Sequence, residues 1–325
     1  MEAKIKTLDY ARRQLLHRFV DVGSIPTAST IKNDKIILIF LVKNMEVYIL
    51  KIGIFDSGLG GINILNSLIN VNSHVLEDIF YVADTINVPY GNKDPEQLEG
   101  IVKNIISFLE EKGCNLIISA CNTTSSTILN KLKENTSVPI IGTIEPTVNF
   151  IKETFHQKNL IILATKATIE SKAFENALKA YNYKIYPVAC PKLVDAIELK
   201  DPSLIIEDLL EEYLQININH DEPIGLLLGC THYPMIKDKI KMVASKIFSS
   251  NEVIILDPCT KISQEALNLI PRDISINKTK KVFIYDTFDV ELLKKKIEFY
   301  FKFDKVNIYF EQISNIQPLN ELRIK

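Results

Sequence analysis

Two stretches of this chain repeat the same series of short apolar segments, and each segment ends in a turn of polar or small residues. The first stretch contains, in order, KIGIFDS, FYVADT, IISACNT and IIGTIEP, and the second contains NLIILAT, IYPVAC, LLLGCTH and VIILDPC. The spacing is also the same, because Asp56 to Cys121 and Thr165 to Cys230 both span 65 residues. A repeat of this length indicates two similar structural units.

The apolar segments have the length and composition of buried parallel strands. We predict strands over 51–55, 79–83, 115–120, 139–144, 159–164, 184–189, 225–229 and 252–257, and helices over 96–111, 125–134, 172–181 and 203–213. Strands that alternate with helices form parallel sheets with helices on both faces. The predicted fold class is therefore α/β, with two similar α/β lobes of mainly parallel strands, a pseudo-twofold internal repeat and an active site in the cleft between the lobes.

The chain is expected to fold in three parts. Residues 1–44 are basic at first, have no clear hydrophobic period and include the loop-like stretch VGSIPTAST. We interpret 1–44 as an extension outside the fold, with Met45 as the native start, because a strand and a glycine turn follow directly. The first lobe is expected to comprise 45–143 plus 257–325, and the second 144–256.

The charge and hydropathy of the chain exclude several classes of partner. The formal net charge is −2 at pH 7, and its 38 basic and 40 acidic residues are interspersed. Such a chain has no broad cationic surface for nucleic acid. The longest apolar run, 36–42, is too short to span a bilayer, and the polar stretch before it is unlike a secretory signal. We expect a cytoplasmic protein with no nucleic-acid partner and no membrane partner.

The five cysteines are spread widely, and none belongs to a Cys-x-x-Cys pair, which indicates free thiols and no metal site. Cys121 and Cys230 each follow the third strand of their repeat. Open α/β sheets bind ligands beyond the carboxyl ends of their strands, so both thiols are expected to face one cleft. We interpret the others as structural, since Cys114 precedes its strand and Cys190 and Cys259 have no equivalent thiol in the repeat.

The residues after each of the two thiols suit proton transfer. Cys121 is followed by the polar turn NTTSS, which should begin a helix. A helix N-terminus lowers the pKa of a cysteine and offers backbone amides to a carboxylate. Cys230 is followed by Thr231 and His232, and a histidine two residues away can assist proton movement at the thiol. A lone cysteine or histidine would more simply be a core residue, so the matched pair favours the functional interpretation.

Other polar residues follow strands of the first lobe. Asp56 precedes the glycine-rich stretch SGLGG, which lacks the lysine of a phosphate-binding loop and the spacing of a dinucleotide site. Asp56 is either a helper of Cys121 or only a helix N-cap. Tyr90 either donates to a substrate carboxylate or packs in the core. Glu145 either tunes a nearby base or binds a substrate ammonium.

Seven motifs together resemble the glutamate racemase family over about residues 49–260: IGIFDSGLGG, ADTINVPYGNK, ACNTTSS, IGTIEP, LATKATIESKAF, CPKLVDAIE and LLLGCTHYP. The resemblance implies two α/β lobes and the interconversion of L- and D-glutamate with no cofactor, neither pyridoxal phosphate nor a metal. It also implies a supply of D-glutamate for peptidoglycan. The expected partners are glutamate and, in a homodimer, a second copy of the chain.

The resemblance also implies roles for single residues. Cys121 and Cys230 match the two acid/base residues, with Cys121 taking the proton from D-glutamate and Cys230 from L-glutamate. Asp56 and His232 match the side chains that assist them. Glu145 joins the expected catalytic set because it follows the fourth strand, and the resemblance does not assign it a role. The residues expected to bind substrate are Asp56, Ser57, Tyr90, Gly91, Asn122, Thr123, Thr231 and His232.

Racemisation needs a base on one face of the α-carbon and an acid on the other, and two mirrored thiols would supply both. The alternatives are an aspartate racemase or arylmalonate decarboxylase, a thiol hydrolase that uses Cys230 with His232, and a two-lobe binding protein. His232 argues against the first, because aspartate racemases more often carry Cys-Thr-Glu, and the decarboxylases resemble a form with one catalytic cysteine. A hydrolase leaves Cys121 unexplained, and a periplasmic-type binding protein requires an export signal.

Overall fold

The computed structural model describes residues 50–70, 76–198, 203–218, 222–269, 281–303 and 306–313. Contacts divide the chain between Glu46 and Val47 into two units, and every described residue lies in the second unit. The predicted extension over 1–44 therefore lies outside the described residues.

Within these ranges ten strands form two sheets, and every strand pair is parallel. The strands are β1 Leu50–Asp56, β2 Leu76–Ala83, β3 Leu116–Ser119, β4 Ile140–Ile141, β5 Asn159–Ala164, β6 Lys184–Ala189, β7 Ile224–Gly229, β8 Val253–Leu256, β9 Lys281–Asp286 and β10 Asn307–Gln312. The first sheet has the order β10-β9-β2-β1-β3-β4, and the second has the order β6-β5-β7-β8. The predicted α/β class with two parallel sheets is confirmed.

The two sheets share one strand order. In each, the strand that comes first in the chain lies between the second and the third, and the fourth lies beside the third. β9 and β10 then extend the first sheet beyond β2 and have no counterpart in the second. The carboxyl ends of β1 and β3 in one sheet, and of β5 and β7 in the other, are therefore equivalent positions.

Helices alternate with the strands. They are α1 Ile62–Asn70, α2 Pro95–Glu111, α3 Asn122–Thr127, α4 Leu129–Lys133, α5 Ile144–Thr154, α6 Lys166–Glu170, α7 Ala173–Leu178, α8 Leu193–Glu198, α9 Ser203–Tyr213, α10 Lys237–Ile247, α11 Cys259–Asn268 and α12 Val290–Tyr300. Local sequence explains where α2 begins. Before α2, the Asp94 side chain accepts from the Glu96 amide at 2.9 Å, and Pro95 takes the first helical position, where no amide hydrogen is needed. No helix of the described ranges is long and apolar enough to cross a membrane.

The apolar core lies on both faces of the sheets. Every residue of β5 and of β7 is buried, as expected for parallel strands covered on both sides. Burying each Leu or Ile side chain contributes about 1.5–3 kcal/mol, so these strands anchor the loops at their carboxyl ends.

The fourth predicted strand is shorter than expected. We predicted a strand over 139–144, but β4 contains only Ile140 and Ile141, and α5 already begins at Ile144. Pro146 is compatible with this early helix start, because proline is tolerated in the first turn of a helix, where no amide hydrogen is needed.

Candidate active site

A pocket opens where the carboxyl ends of strands from both sheets come together. Nine of the residues predicted to act in catalysis or binding line it, and three further residues complete the wall. The lining residues are Ser57, Pro89, Tyr90, Gly91, Cys121, Asn122, Thr123, Thr165, Val194, Cys230, Thr231 and His232. Both predicted acid/base cysteines therefore face the same space.

Cys121 lies at the N-cap position of α3, two residues after the end of β3. Its side chain is 5% exposed. Burial raises the pKa of the Cys121 thiol well above its ordinary value and the charge of Asp56 raises it further, while the backbone amide of Thr124 acts in the opposite direction. The expected lowering of this pKa at the start of the helix is therefore present but is outweighed by desolvation.

Cys230 follows β7 and has a basic neighbour. Its Sγ lies 3.9 Å from Nδ1 of His232, whose ring is buried. Burial lowers the pKa of His232, but the hydrogen bonds and charges of Cys230 and Glu198 outweigh it and raise that pKa well above its ordinary value. An imidazolium beside the thiol can stabilise a thiolate or return a proton to it.

Glu198, at the last position of α8, orients the histidine. Its Oε1 accepts a hydrogen bond from Nε2 of His232 at 2.9 Å. Burial alone would raise the pKa of Glu198, but the neighbouring His232 and Lys296 lower it to about 2. A carboxylate on Nε2 keeps a proton there and turns Nδ1 toward Cys230.

Asp56 is buried at the end of β1 and does not line the pocket. Its Oδ2 accepts from the Gly61 amide at 2.5 Å and from the Thr231 hydroxyl at 3.0 Å. Burial raises the pKa of Asp56, and the positive charge of His232 acts in the opposite direction. Asp56 therefore acts on the site through its neighbours and its charge, and its hydrogen bonds lead toward the Cys230 side.

Tyr90 has a hydroxyl that is already engaged. It donates to Oδ2 of Asp84 at 2.7 Å, and the ring packs in the core of the first sheet. Asp84 also accepts from Asn87 at 3.0 Å and from Thr287 at 3.0 Å. Of the two roles considered for Tyr90, packing is the one that the structure displays, together with a hydrogen bond that fixes the pocket wall.

Hydroxyl and amide groups from both sheets meet across the pocket. The Thr123 and Thr165 hydroxyl oxygens lie 2.9 Å apart. The Thr143 hydroxyl donates to Oδ1 of Asn122, which leaves the Asn122 NH2 group as a donor for a ligand. Gly91 packs against Thr165, and a Cβ on this glycine would lie 2.9 Å from Cβ of Thr165.

The structure does not bring Glu145 to the pocket. It lies in the first turn of α5 and is exposed, because the chain enters a helix three residues after β4 ends. Cys114, Cys190 and Cys259 are buried free thiols that do not line the pocket either. Among the described residues no group of three or more His, Cys, Asp or Glu side chains is placed to hold a metal ion.

Comparison with known proteins identifies the family. A family model described as Asp/Glu/Hydantoin racemase matches residues 70–262, which is more than half of the chain. The chain belongs to this racemase family. It is therefore an amino-acid racemase, an isomerase, and the resemblance found in the sequence motifs is confirmed.

Individual relatives of this racemase cover more of it. It is 37% identical to a glutamate racemase of Helicobacter pylori over 197 residues, which are 59% of this chain and 75% of that protein. It is 33% identical to a glutamate racemase of Clostridium botulinum over 244 residues, which are 73% of this chain and 91% of that one. A structure of the Francisella tularensis glutamate racemase in complex with D-glutamate is 28% identical, with a TM-score of 0.66, and the match covers 82% of this chain and 97% of that chain.

Five residues of the racemase site are not among those predicted from the sequence. Glu198 is bonded to His232, Asp84 is bonded to Tyr90, and Pro89, Thr165 and Val194 line the pocket. Glu198 ends the motif CPKLVDAIE and Asp84 lies in ADTINVPYGNK, so both were inside quoted motifs. A signal for Thr165 was also present, since it is the repeat equivalent of Asp56.

Proposed function

We propose that this racemase interconverts L- and D-glutamate without a cofactor, and that Cys121 and Cys230 act as its two acid/base groups. The observation that carries the proposal is that two buried thiols, each at the end of the third strand of its sheet, line one pocket. The names of the relatives support glutamate as the substrate.

In this mechanism one cysteine is a thiolate and the other a thiol when the substrate binds. The thiolate removes the α-proton from one face, and the electron pair of the C–H bond passes to the carbanion. The opposite thiol then gives its proton to the other face, and its own electron pair remains on sulfur as the new thiolate. Proton and charge are conserved, and the reverse direction exchanges the two roles.

The α-proton of an amino acid is a weak acid, so the pocket must also stabilise the carbanion. Asn122 and Ser57 line the pocket and can donate to the substrate carboxylate as charge develops on it, whereas the Thr231 hydroxyl already donates to Asp56. His232 supplies a positive charge beside Cys230, which offsets the cost of a thiolate on that side. Asp56 holds Thr231 in place and is assigned to the catalytic group as a helper.

The test is solvent exchange. The purified protein is incubated in deuterated buffer with L- or D-glutamate and no added cofactor, and deuterium at the α-carbon is measured by mass spectrometry. Exchange from both enantiomers, together with loss of optical activity, supports the proposal. Exchange with aspartate but not with glutamate would identify an aspartate racemase instead, and ester hydrolysis without exchange would identify a thiol hydrolase.

In the cell we propose that the product is D-glutamate for peptidoglycan, made in the cytoplasm. The five free, buried thiols are suited to a reducing compartment. Expression of this chain should restore growth to a bacterium that lacks its own glutamate racemase and is otherwise dependent on added D-glutamate. We also propose a homodimer, which sedimentation equilibrium of the purified chain would test.

We propose that residues 45–143 with 257–325 form one lobe, that residues 144–256 form the other, and that 1–44 is dispensable. The strand membership of the two sheets supports this division, since β9 pairs with β2 and β10 with β9, although β5 to β8 intervene in the chain. A chain that begins at Met45 should retain racemase activity. Loss of activity in a folded truncated protein would contradict the proposal.

A further inference from the structure

Glu198 receives hydrogen bonds on both of its carboxylate oxygens. Oε1 accepts from His232 at 2.9 Å and from the Leu59 amide at 3.3 Å. Oε2 accepts from Nζ of Lys296, which lies on α12. The Glu198 side chain is 14% exposed and the Lys296 side chain 22% exposed, so the ion pair is largely shielded from solvent.

We propose that Lys296 is a positioning residue of this racemase, which holds Glu198 in the one orientation that directs His232 toward Cys230. The inference rests on the proposed function. It deepens that function because Lys296 acts from one sheet on residues of the other. Lys296 lies on α12, which adjoins the sheet of Cys121, whereas His232 and Cys230 follow a strand of the other sheet.

The first argument is geometric. The terminal torsion of a glutamate is broad, so a carboxylate with one partner can rotate and present either oxygen. Lys296 occupies Oε2, which leaves Oε1 for the ring nitrogen of His232. With Nε2 fixed in this way, Nδ1 stays 3.9 Å from the Cys230 sulfur.

The second argument concerns charge. A carboxylate that is also paired with a lysine binds the imidazolium proton less tightly than an unshared carboxylate does. Lys296 therefore limits how strongly Glu198 stabilises the charged form of His232. Without this lysine, His232 should hold its proton more tightly and exchange it less readily with the thiol.

The ionisable groups around this pair are few. Cys230, Glu198 and Asp56 act on His232. Besides His232 and Lys296, Tyr81 and Tyr300 lie within range of the Glu198 charge, which helps to raise the pKa of each tyrosine. Neither tyrosine carries a positive charge, so neither replaces Lys296.

The experiment compares three variants of the full chain. Lys296→Ala removes the cation, Lys296→Arg keeps it, and Lys295→Ala removes the exposed neighbouring lysine on the same helix. The kcat and KM values are measured from each enantiomer over a range of pH. The protonation of His232 is followed separately by NMR of ¹⁵N-histidine-labelled protein, with its signal assigned from its absence in His232→Asn.

Lys296→Ala should lower kcat by about 2- to 30-fold, the range for residues that act through a neighbour, mainly from L-glutamate and with little change in KM. The His232 titration and the basic limb of the pH profile should move to higher pH. Lys296→Arg should restore most of the rate, and Lys295→Ala should match the wild type.

The inference is overturned if Lys296→Ala matches Lys295→Ala in both readouts, or if it lowers only the unfolding temperature while the titration and pH profile stay unchanged. Failure of the proposed function has a different signature. The wild-type protein would then not exchange the α-proton of glutamate, although the NMR titration would still report whether Lys296 acts on His232.

Discussion

The carboxylate of Asp56 accepts a hydrogen bond from the hydroxyl of Thr231 at 3.0 Å, and this bond joins the end of β1 in one sheet to the residue after Cys230 in the other. Asp56 also raises the pKa of Cys121 through its charge. Its second oxygen, Oδ1, is buried and has no hydrogen-bond partner among the described residues, which is consistent with the raised pKa of this group. A single carboxylate therefore acts on both sides of the site, by its hydrogen bond to Thr231 beside Cys230 and by its charge on Cys121.

Replacing either thiol should stop racemisation. In Cys121→Ala or Cys230→Ala, one face of the substrate has no acid/base group, so the rate should fall by at least about 10²–10⁴-fold. The fold should survive, because removing one buried sulfur costs about 1 kcal/mol. Turnover from each enantiomer and the thermal unfolding midpoint would be measured together, and near-wild-type turnover in either folded variant would rule out the two-thiol mechanism.

The two helpers should affect the two directions unequally. An asparagine at position 56 can still accept from Thr231 but has lost the charge that acts on Cys121, so Asp56→Asn should weaken proton abstraction mainly from D-glutamate. His232→Asn should weaken abstraction mainly from L-glutamate, and each loss should be about 10²–10⁴-fold if the side chain assists that thiol. The equilibrium ratio cannot change, since the enantiomers have equal free energy and a catalyst changes only barriers.

Abstraction must therefore be isolated, by pre-steady-state α-deuterium isotope effects measured from each enantiomer. Thr231→Val is the matched control, because it removes the hydroxyl that Asp56 accepts from and leaves the carboxylate in place. Equal losses from both enantiomers in Asp56→Asn and His232→Asn would mean that these residues only bind substrate or hold the site together.

The repeat in the sequence was sufficient to predict most of the fold. The strand predicted over 159–164 coincides with β5, because a short buried apolar run between turns forms a strand, and the strand predicted over 184–189 coincides with the more exposed β6, its equivalent in the repeat being β2. β9 and β10 were missed for a physical reason. β9 pairs with β2 across a long separation in sequence, β10 pairs with β9, and neither has an equivalent in the second sheet, so the repeat does not indicate them.

Site residues that follow a strand end of the repeat or belong to a motif could be predicted from the sequence. Contacts between side chains from distant segments were harder to predict. Cys121 and Cys230 follow strand ends, and both line the pocket as predicted. Glu198 and His232 are in contact although they lie 34 residues apart in the sequence, and no pattern of residue spacing predicts such a contact. Glu145 was expected on the rim because the strand before it was predicted too long, and the early start of α5 leaves it exposed.

The Glu198 ion pairs should make stability depend on pH. The pKa of Glu198 is about 2 in the folded protein, against an ordinary value of 4.5. A lowered folded-state pKa stabilises the protein fully above the ordinary value, and this contribution is lost as the pH falls from about 4.5 toward 2. It amounts to at most about 3 kcal/mol.

Glu198→Gln removes that contribution, so its deficit in the free energy of unfolding should be largest near pH 6 and should shrink toward pH 3. Urea unfolding of wild type and variant over this range would measure it. Glu222→Gln is the control, because Glu222 forms only an exposed 4.0 Å pair with Lys158, worth about 0–1 kcal/mol. A deficit for Glu198→Gln that is constant with pH would contradict the assigned ion pairs.

A close approach of the backbone at Gly60 should prove essential to the His232 side of the site. A Cβ on Gly60 would lie 2.5 Å from Nδ1 of His232 and 2.8 Å from its backbone nitrogen, and 2.6 Å from the Thr231 hydroxyl. The backbone cannot move without disturbing the loop after β7, so the His232 ring must turn away from Cys230. Gly60→Ala should therefore destabilise the protein by about 1–3 kcal/mol, as overpacking does, and should reduce turnover as well.

Gly100→Ala is the control for Gly60→Ala, because it should have the opposite effect on stability. Gly100 lies within α2 and a Cβ there meets nothing within 4 Å, so alanine should raise stability by up to about 1 kcal/mol through its helix propensity and leave activity unchanged. Thermal unfolding and turnover from both enantiomers would be compared for the two variants. If Gly60→Ala keeps wild-type turnover and stability, the packing of the Gly60 backbone against His232 does not position the histidine. The orientation of His232 would then have to depend on Glu198 alone.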